Sequence, residues 1–203
     1  MTTTVSTSPF SRSGLERVLR ALGLLVWLLL APWQAWAAEN GIRNAEILAS
    51  EEGFVVNADI DLALTNRLED ALRRGVSLYF VAELEITRDR WYWLDEEVVM
   101  RRLDYRLSYH AITRAYRLSI GSLHQNFDSL EAAFQTMRRI RSWNVAERGE
   151  LQVGATYNAA LRMALDPTQL PKPFQVTAFS SRDWNIGTDW YRWTFQAMAP
   201  EGR

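Results

Sequence analysis

Hydrophobic and polar residues alternate with a period of two along much of the chain, as expected for strands that bury one face. The longest stretch runs from Leu151 to Leu165, with apolar side chains at the odd-numbered positions. Similar alternation occurs from Ser77 to Asp89, from Val99 to Tyr109 and from Ile112 to Ile120. Because each segment keeps one polar face, these four predicted strands favour antiparallel sheets.

A β-hairpin is predicted near residue 50. The segments from Ile42 to Ala49 and from Phe54 to Leu62 both alternate, and Gly53 stands in the short connection between them. Glycine adopts the positive backbone angles that tight hairpin turns need.

Two segments between the strands have helical spacing instead. Asn66 with Glu69, and Asp128 with Glu131, form capping-box patterns at their starts, and the apolar positions of the second helix continue to Ile140. The order of strands, helix, strands, helix and strands predicts an α+β fold. It is predominantly antiparallel β, either sandwich-like or a curved sheet, with two amphipathic helices.

The second predicted helix ends in an arginine cluster, Arg138, Arg139 and Arg141. Cations in the last turn complement the helix dipole by about 0.3–1 kcal/mol each. The alternative is an anion or lipid-headgroup site, for which Arg138 and Arg141 are the candidate binding residues.

The first 37 residues have the three-part pattern of a secretory signal peptide. Arginines precede an apolar run at residues 21–31, Pro32 ends that run, and small residues stand at Ala35 and Ala37. We expect cleavage after Ala37, a single β-rich domain of residues 38–203, and a periplasmic location. The alternative is an uncleaved membrane anchor, but the run is shorter than the roughly 20 residues of a spanning helix.

Composition limits the chemistry of the predicted domain. The chain has no cysteine, which excludes disulfides, zinc–thiolate sites and thiol nucleophiles. The net charge is −1, and the leader contributes +2 through three arginines and one glutamate, so residues 38–203 carry −3. This near balance gives no electrostatic reason to expect a nucleic-acid partner.

Candidate catalytic groups are few. The chain has two histidines, His110 and His124, and neither has a metal-binding spacing, so we expect no metal and no cofactor. His124, predicted in a loop, and the nearby Asp128 are weak candidates for acid–base work, as is His110. The alternative is that both histidines are structural. Glu83 and Glu85 share one strand face, which is read more simply as the wet side of a sheet than as a glycosidase pair.

Tryptophans are a better indication of binding. Trp184, Trp190 and Trp193 lie near the C-terminus, and three more follow the leader, Trp91, Trp93 and Trp143. Exposed tryptophans form stacking surfaces for sugars or anchors for protein partners. The alternative is that they cover the ends of the core, since large aromatics are mostly buried.

Four longer motifs carry a family resemblance: RWYW at 90–93, YRLSYHA at 105–111, LRM at 161–163 and QLPKPFQV at 169–176. Through them the chain resembles exported proteins of Gram-negative bacteria that carry a single domain of unknown function. The resemblance covers most of residues 41–195 and brings no assigned activity and no catalytic residues. It also implies genes near a membrane sensor kinase of the nitrogen-regulation type.

Together these features predict a non-enzymatic binding module of the cell envelope, with an envelope protein as partner and a role accessory to a membrane sensor. Membrane association is expected only through an uncleaved leader, and the sequence does not indicate the oligomeric state. Two alternatives stay open: a hydrolase acting on an envelope polymer, and a carrier that holds a small apolar ligand between sheet and helices.

Overall fold

A computed structural model describes residues 40–89, 96–180 and 182–200. They belong to one compact unit, Ala38–Arg203. The predicted leader and the tryptophans at positions 91 and 93 lie outside the described residues, so the predictions made for them stay predictions.

The described residues contain nine strands and three α-helices. In chain order they are β1 (Gly41–Ala49), β2 (Gly53–Asp61), α1 (Asn66–Arg73), β3 (Leu78–Arg88), β4 (Glu96–His110), β5 (Ala115–Ile120), β6 (Leu123–Phe127), α2 (Leu130–Met137), β7 (Arg139–Glu147), β8 (Thr156–Leu165), α3 (Lys172–Ser180) and β9 (Tyr191–Gln196). Short 3₁₀ turns at Pro167–Gln169 and Arg182–Trp184 flank α3.

The strands form two antiparallel sheets. One has three strands in the order β1-β2-β7, and the other has six in the order β6-β5-β4-β3-β8-β9. The fold is therefore α+β and rich in antiparallel sheet, as the alternation predicted. Apolar side chains of both sheets and of the helices share one core. Leu84 and Leu161 of the large sheet and Val56 of the small sheet are completely buried, and each such side chain stabilises the fold by about 1.5–3 kcal/mol.

The predicted hairpin is confirmed as β1 and β2, with Gly53 as the first residue of β2. The φ angle of Gly53 is 148°, and a Cβ atom added there would overlap the carbonyl oxygen of Ala146 on β7. Glycine is therefore required twice at this position, by its backbone angle and by the close approach of β7.

Both helix N-caps lie one residue away from the predicted positions. Thr65 caps α1, where Asn66 was predicted, and its Oγ1 accepts from the backbone N–H three residues on at 3.4 Å. The same hydroxyl donates to the carbonyl of Asp183 at 2.8 Å. Ser129 caps α2, where Asp128 was predicted, with the equivalent bond at 3.2 Å. Each capping-box prediction was wrong by one residue, because the hydroxyl group of the adjacent residue, Thr65 or Ser129, supplies the cap.

The predicted extent of the second helix was also wrong. Helix α2 ends at Met137, Arg138 is its C-cap, and Arg139 begins strand β7. Ile140 is 2% exposed, buried from the strand rather than from the helix. Pairing with β2 decides this, since β2 supplies partners for β7 from Arg139 to Glu147. Of the arginine cluster, Arg138 alone stays next to the helix end.

Two strands begin later than the alternation pattern predicts, and one strand has no such pattern. Strand β8 begins at Thr156, because the chain turns at residues 153 and 154. Strand β5 begins at Ala115, and Ile112 lies in the preceding turn with 99% of its surface exposed. Edge strand β6 was missed, because its side chains are exposed up to Phe127 and give no alternation.

The proline-containing segment Pro171-Lys172-Pro173 leads into a third helix, α3, which begins at Lys172. Proline is tolerated in the first turn, where the backbone N–H groups have no partner within the helix. None of the helices in the described ranges is long and apolar enough to cross a membrane.

Candidate functional site

The outward side of strands β3, β8 and β9 in the six-stranded sheet carries a largely polar surface. Leu84 and Ile86 of β3 are buried, so Glu83 and Glu85 point outward, because side chains alternate along a strand. Residues directly opposite in the β3–β8 and β8–β9 pairs share this face. We call this surface the open face, and define it by the side chains Glu83, Glu85, Thr87, Asn158, Ala160, Arg162, Arg192 and Thr194.

In one row of the open face, the charged side chains pair with each other. Arg162 lies directly opposite Glu83, and its Nη2 is 2.6 Å from Glu83 Oε2. The guanidinium carbon of Arg162 also lies 4.5 Å from the centroid of the Trp190 ring. The arginine thus neutralises a carboxylate and covers an aromatic ring, so the charges of this row are satisfied within the protein.

The next row, two residues further along β3, leaves its charges apart. Glu85 lies opposite Ala160, and Ala160 lies opposite Arg192. Among the described residues, the side chains of Glu85 and Arg192 form no ion pair or hydrogen bond. Because Ala160 contributes only a methyl group, a hollow of about 390 Å³ opens above it. We call it the Ala160 hollow; its polar lining is Glu85, Thr87, Asn158, Arg192 and Thr194.

A short chain of hydrogen bonds orders one end of this hollow. Thr194 Oγ1 donates to Asn158 Oδ1 at 3.0 Å, and Asn158 Nδ2 donates to Asp89 Oδ1 at 2.6 Å. Since the Asn158 amide is held on both sides, it presents a fixed polar edge beside the two unpaired charges.

A second hollow, of about 370 Å³, lies toward the opposite edge of the same sheet. His124 of β6 lines it, together with Tyr79, Asp104, Arg106, Ser119 and Ser122. The Arg106 guanidinium lies 5.8 Å from the centroid of the Tyr79 ring and donates to Ser77 Oγ at 3.3 Å. The hollow therefore combines a cation, a carboxylate, an imidazole and a phenol on adjacent strands.

The predicted catalytic candidates are brought together only in part. His124 is exposed on an edge strand, rather than in a loop, and shares its hollow with Asp104. Asp128 is exposed in the turn after β6, and His110 is exposed at the end of β4; neither lines this hollow. Within the described ranges, no hydrogen bond joins His124 to a carboxylate, and no group of three or more acidic or histidine side chains is placed to hold a metal.

An arginine bridge lies between the two hollows. Arg102 of β4 binds Asp104 at 2.7 Å and Asp166, which follows β8, at 2.8 Å. Burial alone raises the pKa of Asp166, but hydrogen bonds from Gln169, Thr168 and Arg102 outweigh it and lower that pKa to about 2. The carboxylate of Asp166 therefore stays ionised and fixes the segment that leaves β8.

The three candidate tryptophans occupy three different environments. Trp184 is 6% exposed, and its ring centroid lies 5.5 Å from that of Phe174, so it is a core residue. Trp193 is partly buried on the inner side of β9, with its ring 5.6 Å from that of Tyr191. Trp190 is partly exposed at the edge of the open face, beneath Arg162. Trp190 therefore borders the open face, and Trp193 is among the residues that line the Ala160 hollow.

The two candidate arginines are engaged by their own surroundings. Arg138 donates to the carbonyl of Leu62 at 3.1 Å and pairs with Glu131 at 3.0 Å. Arg141 donates to the carbonyl of Ala58 at 2.9 Å and pairs with Asp59 at 2.6 Å. These bonds tie α2 and β7 to β2, which is a structural role for both side chains.

Sequence reasoning named two of the residues that line the Ala160 hollow, Glu85 and Trp193. Glu85 was noticed as an outward strand residue, whereas Ala160 and Arg192 were not singled out. The alternation of β8 did place Ala160 on the polar face. What it lacked was the register that sets Ala160 between a glutamate and an arginine, since register depends on distant strands.

These observations define the class of the protein: an α+β domain that presents an open, charged face of an antiparallel sheet. The chain belongs to the family described as a domain of unknown function, DUF4390, whose profile matches residues 37–194. No curated protein and no solved structure matches the chain.

Proposed function

We propose that this protein is an exported, periplasmic, non-enzymatic binding module of the cell envelope, and that the open face is its binding surface. The observation that carries the proposal is the pair of unpaired opposite charges, Glu85 and Arg192, on either side of the Ala160 hollow. Solvent-accessible charges held on a rigid sheet are ready to pair with a ligand without reorganisation of the backbone.

The position of Trp190 supports the same surface. Its ring lies at the edge of the open face, and Arg162 orients it through a contact of 4.5 Å. Aromatic side chains at the margin of a charged surface are common anchors in protein interfaces. An envelope protein, such as the membrane sensor that the family resemblance suggests, is the partner we propose.

Export is tested with a fusion of residues 1–43 to alkaline phosphatase, which is active only outside the cytoplasm. We expect an active fusion. A charged substitution in the apolar run, Leu25→Arg, should abolish the activity, whereas Thr3→Arg should not. An inactive wild-type fusion would overturn the proposed location.

Binding by the open face is tested with a photo-crosslinking residue at Thr194 in intact cells. The control position is Glu46, which is exposed on β1 of the other sheet. We expect a discrete crosslinked product from Thr194 that Glu46 does not give and that Arg192→Met weakens. Identical products from both positions, or none from the open face, would contradict the proposal.

A hydrolase is the second candidate, favoured by the hollow that His124 shares with Asp104, Ser119 and Ser122. An imidazole near a carboxylate and hydroxyl groups is a starting set for acid–base chemistry. The test is hydrolysis of purified envelope polymers by the wild type and by His124→Ala, with His110→Ala as the control. Activity lost in the first variant alone would favour the hydrolase over the binding module.

A further inference from the structure

We infer that the Ala160 hollow binds an α-amino-acid zwitterion, with the ammonium group on Glu85 and the carboxylate on Arg192. The inference rests on the proposed function and adds the chemical class of the ligand. The ligand is either a free amino acid or an amino-acid end group that projects from a larger envelope component, because both offer the same pair of charges.

The spacing of the strands supports this ligand. Neighbouring strands lie roughly 4.8 Å apart, so the backbones of β3 and β9 are separated by roughly 10 Å across β8. In an α-amino acid the ammonium nitrogen lies roughly 3 Å from the carboxylate oxygens, by standard bond lengths. With a charge-assisted bond of about 2.8 Å on each side, the ligand spans roughly 8.5 Å. If the Glu85 and Arg192 side chains stand parallel above their strands, their charged ends are about one bound amino acid apart.

The contrast with the neighbouring row shows why the charges are available. In that row an arginine on β8 pairs directly with Glu83 at 2.6 Å. In the row of the hollow β8 carries Ala160, which separates Glu85 from Arg192 by one strand. A ligand that carries both charges can therefore pair with both side chains at once.

The neutral groups of the hollow suit the same ligand. Thr87 adds a hydroxyl that donates and accepts, and the Asn158 amide is held by Thr194 and Asp89. The volume of about 390 Å³ exceeds what a single small amino acid needs. It also leaves room for the tail of an attached end group, since the hollow is open to solvent.

The test is isothermal titration of the exported protein with five small probes. The L and D enantiomers of alanine each carry both charges. N-acetylalanine keeps only the carboxylate, and alaninamide keeps only the ammonium. Nε-acetyl-lysine carries the zwitterion at the end of a tail and stands for an attached end group. We expect at least one zwitterion to bind about tenfold or more tightly than either singly charged probe.

Three variants locate the binding. We expect Glu85→Gln and Arg192→Met each to lower the affinity for the zwitterion by about tenfold or more. Ala160→Leu should block zwitterion binding while keeping both charged side chains. The matched controls are Glu147→Gln and Arg139→Met, which remove exposed charges from β7 of the other sheet and should leave binding unchanged. Thermal unfolding of every variant separates a lost site from a lost fold.

The outcomes discriminate clearly. Tighter binding of alanine assigns a free amino acid, and tighter binding of Nε-acetyl-lysine assigns an attached end group. The inference is overturned if no zwitterion binds at millimolar concentration, if singly charged probes bind equally well, or if Ala160→Leu retains full affinity. If zwitterion binding fails but Thr194 still gives its discrete crosslink, the proposed binding function stands and only the ligand class is wrong. If zwitterions bind but Thr194 gives no crosslink, only the proposed protein partner is wrong.

Discussion

The guanidinium carbon of Arg162 lies 4.5 Å from the centroid of the Trp190 ring, which joins strand β8 to the segment just before β9. The same guanidinium is 2.6 Å from Glu83 on β3. Arg162 therefore fixes the position of Trp190 relative to three strands, and one face of the indole is covered before any ligand arrives.

The contact between Arg162 and Trp190 should be measurable as a coupling. A double-mutant cycle of Arg162→Met and Trp190→Leu, followed by urea unfolding, should give about 0.5–1 kcal/mol of interaction energy, since the pair is partly exposed. The control cycle pairs Trp190→Leu with Arg139→Met, which lies on the other sheet and should be additive. Additivity in both cycles would show that the ring contact does not contribute to stability.

Asp166 should make folding stability depend on pH. Its pKa falls from 3.8 to about 2 in the folded state, so the fold favours the ionised carboxylate. This contribution is fully present above about pH 4 and is lost as the pH falls through about 2. By linkage it amounts to about 2 kcal/mol at neutral pH. Asp166→Asn should therefore lower the free energy of unfolding at pH 7 by roughly that amount. The difference in unfolding free energy between the variant and the wild type should shrink toward pH 2.

Asp104→Asn is the matched control for Asp166, because both carboxylates bind the guanidinium of Arg102. The Asp104 side chain is 57% exposed and that of Asp166 is 12% exposed. Asp104→Asn should therefore cost only a few tenths of a kcal/mol, by about the strength of a surface pair. Equal effects of the two substitutions in chemical unfolding would contradict the assignment of the dominant role to Asp166.

The cap of α1 should be found at Thr65 and not at Asn66. Thr65→Ala removes the bond to the helix N-terminus and the bond to the carbonyl of Asp183, and should cost about 1–2 kcal/mol. Asn66→Ala should cost close to nothing, because alanine is a good helix former at that first helical position. Thermal unfolding of both variants decides the cap, and a larger loss for Asn66→Ala would restore the capping box read from the sequence.

Gly53 should be the glycine that tolerates substitution least. A Cβ there meets the carbonyl oxygen of Ala146, and its φ is 148°, so Gly53→Ala should cost about 3 kcal/mol or more and disturb β2–β7 pairing. Gly121 also has a positive φ, 57°, but its Cβ would point into open space. Gly121→Ala should therefore cost about 1 kcal/mol. Similar losses in the two variants would show that the contact with β7 is not the cause.

The period-two alternation was enough to predict most of the fold. It works for β3, β4 and β8 because each of these strands buries one face and exposes the other to solvent. Apolar and polar residues therefore alternate along the sequence. It failed at β6, where nearly every side chain is exposed, and at β7, where Ile140 continued a helical spacing. In both cases a neighbouring strand, rather than the local pattern, fixed the backbone.

The candidate site was less predictable than the fold. Aromatic residue type is visible in the sequence, whereas burial is not: Trp184 is buried in the core, and Trp193 is partly buried and lines the Ala160 hollow. For Arg138 and Arg141 the sequence left open a helix-end role or an anion site, and the structure shows both donating to carbonyl groups, of Leu62 just after β2 and of Ala58 within it. Whether a side chain is available depends on neighbours that are distant along the chain.

The sequence by itself determined the class of this protein: its antiparallel α+β character, the outward direction of Glu85, and a core built without cysteine. Local physics suffices there, because alternation follows from the geometry of a single strand. Only the tertiary structure decided that Ala160 lies between Glu85 and Arg192 and that Arg162 lies between Glu83 and Trp190. Those rows depend on the register of three strands, and a shift of one residue would have turned each of these side chains to the other face.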